Sequence, residues 1–290
     1  MDSFYRQTAE GLFDSGVYTA GPWGPESQHA GPPSALLARE FAGVGDIGDK
    51  RIASISVDIL SPIPLRPLHV SVSVAKPGRQ VELLSGEIRA ADKIVMTARA
   101  WRVRQAPDDV PSIGSTAQLP ETSKADDSYG IGNAVMPGAY TGGYLSAVQW
   151  LQARGEDLPQ DEARSAWIRP LIPLIEGEDP TGTELAMLTA DSGSGVHVPV
   201  DPFHHPGVNC TLHVALVREP EGDRIGLESR TSVEPGGCGD PIRTRRRGAD
   251  PAGSALEERC VDHPEEAPGA LVDELVQLVR SGADLGPVEV

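Results

Sequence analysis

One stretch of this chain carries residue types that suit a negatively polarised oxygen, and a second sets a carboxylate in a glycine-rich turn. His29-Ala-Gly-Pro-Pro33 directly precedes a run of helix formers. Backbone N–H groups at a helix N-terminus carry partial positive charge and suit such an oxygen; the plainer role for His29 and Gly31 is to shape the entry turn. Asp191-Ser-Gly-Ser-Gly195 sets a carboxylate between a short helical stretch and a glycine-rich segment, a composition that by itself reads as a turn. Other patterns carry less. His204-His205 with Cys210 five residues on matches no tetrahedral metal set, and adjacent strand side chains point apart. No Gly-x-Ser-x-Gly elbow, Gly-x-Gly-x-x-Gly or P-loop occurs, so serine α/β-hydrolase and nucleotide chemistry are disfavoured. Arg243-Thr-Arg-Arg-Arg247 reads as a solvated loop.

The elements that must position these residues come in two copies. Ala53–Pro64 (ASISVDILSPIP) and Asn209–Pro220 (NCTLHVALVREP) are alternating strand patterns of equal length ending in proline. Each leads through a polar turn to a second alternating run and a Pro-Gly pair, LHVSVSVAKPG at Leu68–Gly78 and IGLESRTSVEPG at Ile225–Gly236. Self-similarity at long period means one supersecondary unit used twice, and it directs the search for a site to the seam between the copies.

In the first copy, Ser34–Ala42 reads as a helix, followed by strands at Ile52–Leu60, Leu68–Ala75, Gln80–Ala90 and Lys93–Arg104 with hairpin chemistry at Pro77-Gly78 and Ala91-Asp92. Gln105–Ser128 is polar, proline-containing and without periodicity, and reads as a linker. Strands are expected at Tyr144–Arg154 and Ala163–Pro170, a short helix at Thr183–Ala190, then the two repeated strands. After Gly237 the repeat fails. The first copy predicts two more strands, but CGDPIRTRRRGADPAGSALEERCVD shows no alternation, and Ala267–Arg280 reads as an amphipathic helix. The expected organisation is an N-terminal unit over 1–104, a linker over 105–139, a C-terminal unit over 140–237, and an anomalous tail over 238–290, poorly ordered or divergent.

The formal net charge of −17 disfavours nucleic acid and anionic membrane surfaces as partners. No apolar run approaches the roughly 20 residues of a membrane helix, and the polar N-terminus lacks a signal-peptide core. Three cysteines without paired spacing, Cys210, Cys238 and Cys260, suit a reducing cytoplasm.

Together GPW…HAGPPSALLAREF (Gly21 to Phe41), VDILSPIPLRPLHVSVSVAKPGRQVEL (Val57 to Leu83), TARAWRVR (Thr97 to Arg104), Ala166-Trp-Ile-Arg169, the ADSGSGV segment (Ala190 to Val196) and GLESRTSVEPGG (Gly226 to Gly237) resemble the type-II acyl-CoA thioesterases of the thioesterase superfamily. The resemblance implies an α+β double hotdog, two tandem helix-on-antiparallel-sheet units, and hydrolysis of acyl-CoA to free acid and thiol. It implies a water held by an Asp, a Thr or Ser, and a Gln. The Asp matches Asp191 and the Thr matches Thr231, with His29 and Gly31 on the substrate side.

The Gln has no match on a final strand, since no glutamine lies between Gln160 and Gln277. A shifted reading frame from Cys238 onward would explain both the composition and the missing residue. Acyl-CoA or another acyl thioester is the expected partner, with no cofactor or metal, and a homodimer is compatible with the resemblance. Two alternatives stand beside hydrolysis: a non-catalytic acyl-thioester-binding protein, and a hotdog enoyl-thioester hydratase or dehydratase. The latter needs an Asp/His pair, and along the chain the histidine nearest Asp191 is His197.

Overall fold

The computed structural model describes residues 2–107, 109–111, 138–154, 159, 162–205, 207–233 and 270–276, the side chains of 151–154 and 270–276 excepted. The elements run β1 (Tyr5–Ala9), β2 (Leu12–Ser15), α1 (Gly31–Gly43), β3 (Lys50–Ile59), β4 (Leu68–Lys76), β5 (Val81–Ala90), β6 (Lys93–Arg104), α2 (Tyr144–Ala147), β7 (Val148–Arg154), β8 (Arg164–Pro170), α3 (Gly182–Ala190), α4 (Gly193–Val196), β9 (Gly207–Ala215), β10 (Ile225–Ser229) and β11 (Ala270–Val276).

Helix α1 starts with Pro32 and Pro33 in its first turn, where a missing N–H breaks no intrahelical bond. Leu36, Leu37 and Phe41 are fully buried, each contributing about 1.5–3 kcal/mol relative to exposure. At its far end the buried Arg102 guanidinium, 1% exposed, donates to the carbonyls of Phe41 and Val44 and to Glu82 at 2.6 and 2.8 Å. Helix α3 is opened by Thr181, whose hydroxyl oxygen accepts from the Glu184 N–H while its own proton goes to the Glu184 carboxylate. The two helices pack antiparallel. A Cβ at Gly31 would collide with the carbonyl of Leu188, so only glycine allows this approach.

Strand order makes the duplication visible. In the first half it is β1-β2-β4-β5-β6-β3, and β3 pairs with β9 across the seam, Ser54 facing Ala215 and Asp58 facing Thr211. Antiparallel pairing of these equivalent strands is what a local two-fold between the copies produces. In the second half, β7-β8-β10 repeats the first three positions and β9 the last. Among the described residues β11 takes the place beside β9 that β6 takes beside β3, no strand takes the place that β5 holds, and the strands divide into one sheet of eight and one of three.

Three expectations are corrected, and one pair of strands is added. Ala267–Arg280 does not form a helix: Ala270–Val276 is strand β11, pairing parallel with β9 where β6 pairs antiparallel with β3. The segment Tyr144–Arg154 opens with one helical turn, and the strand begins at Val148. The strand expected to run through Val233 stops at Ser229. Strands β1 and β2, unread in the sequence, form an edge hairpin joined to β4. Their exposed polar residues hide the two positions that matter, Tyr5 and Phe13, both fully buried. The expectations for the linker lie mostly outside the described residues, as do those for 238–290 apart from 270–276.

Candidate active site

The N-terminus of α1 meets the C-terminus of α3, and there the chain buries a carboxylate. Asp191 caps the end of α3 and is 6% exposed. Its Oδ2 accepts from the Ala30 N–H at 3.0 Å and lies 3.1 Å from His29 Nδ1. Its Oδ1 accepts from Asn209 Nδ2 at 2.7 Å. Three groups from two other segments thus fix both oxygens. The structure brings together His29, Gly31 and Asp191, three of the four residues singled out in the sequence, and adds Asn209 from the start of β9.

His29 is held on its own account. Its ring stacks on Tyr144 with centroids 3.9 Å apart and planes 5° from parallel. The Tyr144 hydroxyl reaches Leu188 O at 3.1 Å and Ser192 Oγ at 2.9 Å, tying the stack to the last turn of α3. Burial lowers the His29 pKa, with the Asp191 charge acting in the opposite direction, so the imidazole is neutral at pH 7. Nδ1 also lies 3.1 Å from the Gly31 N–H, and one nitrogen cannot both donate to Asp191 and accept from Gly31. The Nδ1–H tautomer is the consistent assignment, since a lone pair there would face a carboxylate oxygen.

Two features depart from the sequence reading. The start of α1 offers few donors, because Pro32 and Pro33 have none, the Ala30 N–H goes to Asp191 and the Gly31 N–H points at His29 Nδ1. Thr231 does not bond Asp191. Its N–H donates to His197 Nδ1 at 2.7 Å and its hydroxyl to the His197 carbonyl at 2.8 Å. It stands two residues past Ser229, which donates to the Gly193 carbonyl in the turn after Asp191. The histidine that meets Asp191 is therefore His29, from across the seam, and not its chain neighbour His197.

The entry loop is fixed by Gln28, buried beside His29. Its amide accepts from the Tyr5 hydroxyl at 2.6 Å and donates to Ser15 Oγ at 2.9 Å and Pro64 O at 2.8 Å. Among the described residues no group of three or more His, Cys, Asp or Glu is placed to hold a metal ion, and His204 pairs with Asp201 on the surface. No helix among the described residues is long and apolar enough to cross a membrane.

Two helix-on-sheet units joined through β3 and β9, with a carboxylate where their helices meet, define a double hotdog protein. The N-terminal domain of the acyl-CoA thioesterases matches residues 19–103, and their C-terminal domain matches residues 107–242. This chain belongs to the acyl-CoA thioesterase family. Similar solved structures include a conserved protein of unknown function with a hotdog fold from Alicyclobacillus acidocaldarius, 13% identical with TM-score 0.60, the match covering 81% of this chain and 86% of that one. Acyl-CoA thioesterase II TesB2 from Mycobacterium marinum is 11% identical with TM-score 0.53 over 81% and 86% of the two chains. The TesB protein of Mycobacterium avium subspecies paratuberculosis is 14% identical with TM-score 0.52 over 81% and 86%. No match is found among curated proteins.

Proposed function

We propose that the protein hydrolyses acyl-CoA by direct attack of water on the thioester carbonyl, with Asp191 as the general base. The observation that carries this reading is the buried Asp191 carboxylate, fixed at the seam beside the N-terminus of α1. In the proposed step Asp191 takes a proton from water as the water oxygen bonds to the carbonyl carbon. The partial positive charge of the α1 N-terminus, at His29 and Gly31, stabilises the oxygen on which negative charge develops. Collapse of the tetrahedral intermediate breaks the carbon–sulfur bond, and the thiolate recovers the proton, giving free acid and CoA thiol. Thr231 is assigned the orientation of the water: its hydroxyl proton is committed to His197, which leaves the oxygen lone pairs as acceptors. The odd cysteine count supports the cytoplasm as compartment.

One observation favours a second reading. The His29–Asp191 pair at 3.1 Å is the Asp/His combination that an enoyl-thioester hydratase or dehydratase would need. Thiol release from a panel of acyl-CoAs separates the readings. Hydrolysis predicts stoichiometric thiol and acid. Hydration of an enoyl-CoA without thiol would favour the second reading, and binding without turnover would leave a carrier.

A further inference from the structure

We propose that Tyr144 is a positioning residue for hydrolysis, a clamp that holds His29 and Asp191 in one alignment; this rests on the hydrolytic reading above. Tyr144 stands in a closed circuit of contacts. Its ring lies flat on His29, and His29 Nδ1 meets Asp191 Oδ2. Asp191 in turn sits between Leu188 and Ser192, the two residues that the Tyr144 hydroxyl reaches.

The backbone delivers the two rings to each other. Tyr144 opens α2, and its N–H donates to the Ala20 carbonyl at 2.8 Å. The preceding Gly143 has no room for a Cβ, which would lie 2.3 Å from that same carbonyl. His29 is tied one residue away, its N–H donating to the Thr19 carbonyl at 2.8 Å. Tyr144 and His29 come from opposite halves of the chain and are thus pinned to adjacent residues, with their faces in contact. Phe4 packs beside Tyr144 with centroids 6.1 Å apart, and Tyr144 is fully buried.

The chemistry of the pair needs this restraint. His29 Nδ1–H holds one of the two Asp191 oxygens, so the aim of the base depends on the plane of the imidazole. A donor ring tilted out of that plane loses the bond, because hydrogen bonds weaken steeply as they bend. Stacking at 3.9 Å with planes 5° from parallel fixes the plane, while Asp191 selects the nitrogen that faces it. The hydroxyl fixes the stack. Its proton goes to the Leu188 carbonyl at 3.1 Å, so its oxygen accepts from Ser192 Oγ at 2.9 Å. Leu188 lies in the last turn of α3 before Asp191, and Ser192 follows it. Phenylalanine would serve packing alone; the hydroxyl ties the ring to the turn that carries the carboxylate.

The test is a double-mutant cycle in thiol release from acyl-CoA, with the folding of each variant checked by circular dichroism. Tyr144→Leu removes ring and hydroxyl, and is expected to lower kcat about tenfold or more with KM held, as misplaced groups do. Tyr144→Phe keeps the stack and is expected to lower kcat about threefold, in line with the lost hydrogen bonds. Both effects should vanish in a His29→Gln background, since a residue that acts through His29 then has nothing to act on. Tyr144→Phe carries the cycle by itself should Tyr144→Leu fail to fold. The NMR signal of the His29 Nδ1 proton, identified by its loss in His29→Gln, needs no turnover: it should persist in Tyr144→Phe and disappear in Tyr144→Leu. Native kcat in the folded variants, equal losses in both backgrounds, a rise in KM with kcat held, or an unchanged signal in Tyr144→Leu would each overturn the proposal. That pattern of signals in a protein that releases no thiol would uphold the clamp while removing the hydrolytic reading.

Discussion

Asp191 is held from both oxygens by groups remote in sequence, and this makes Asn209 a positioning residue for it. Asn209→Asp would set a second carboxylate within hydrogen-bond distance of the first. Two carboxylates sharing one site resist joint ionisation, so the acidic limb of the kcat/KM profile is expected to move up by about one unit or more; an unmoved limb would remove Asn209 from this role. His29 makes a separate prediction. Its folded pKa lies below the ordinary 6.5 chiefly through burial, so in the window between the two values the unfolded chain binds more protons. Stability should therefore be full above pH 6.5 and fall as pH drops toward the lowered value. Burial lowers His213 as well and acts in the same direction. The loss of Tm between pH 7.5 and 5.5 should be smaller in His29→Gln than in the native protein, and an equal loss would contradict the assignment. The residue types at 29–33 and 191 are legible in the sequence. Their meeting is not: Ala30 and Asp191 are 161 positions apart, and a lone Asn opening a strand carries no local signal. In the repeat, Asn209 corresponds to Ala53, and only an amide in place of that methyl could have marked it.

The helices that bring these residues together depend on two packing features. Gly31 lets α1 lie against the Leu188 carbonyl, and Gly31→Ala is expected to cost about 1–3 kcal/mol by overpacking, read as a lower urea midpoint with unchanged slope. Arg102 closes the other end of α1 while neutralising Glu82. Burial alone would push the Glu82 carboxyl up, but hydrogen bonds and charge from Arg102 and Lys50 hold it below its ordinary value. Arg102→Leu leaves that carboxylate buried and should destabilise by about 3–5 kcal/mol. Adding Glu82→Gln should restore part of the loss in chemical denaturation, and no restoration would mean that helix closure, not charge, is what Arg102 supplies. The strands from β3 to β6 were legible because long alternating runs have a single period. β1 and β2 are too short for that signal, and the end of β10 at Ser229 is set by the tie of Thr231 to His197, which a sequence does not display.

At the scale of the molecule, duplication accounts for one feature that local reading cannot: among the described residues no strand takes, beside β10, the place that β5 takes beside β4. Beside β9, the place that β6 takes antiparallel to β3 is taken by the parallel β11. Translation of the gene in its other two frames from codon 238 is expected to yield two alternating strands, the second with a glutamine; frames without such a pair would reject a shift. The repeat was readable because both copies keep their strand lengths and terminal prolines, whereas the eight-to-three division depends on pairings that no stretch encodes alone. In the function proposed, one buried carboxylate at the seam drives thioester hydrolysis. The direct measurement is thiol release from acyl-CoA by Asp191→Asn, a variant that keeps side-chain shape, with folding checked by circular dichroism. The expected outcome is a fall in kcat of about 10²–10⁴, the range that general-base catalysis supplies. A folded variant that releases thiol at the native rate would contradict it.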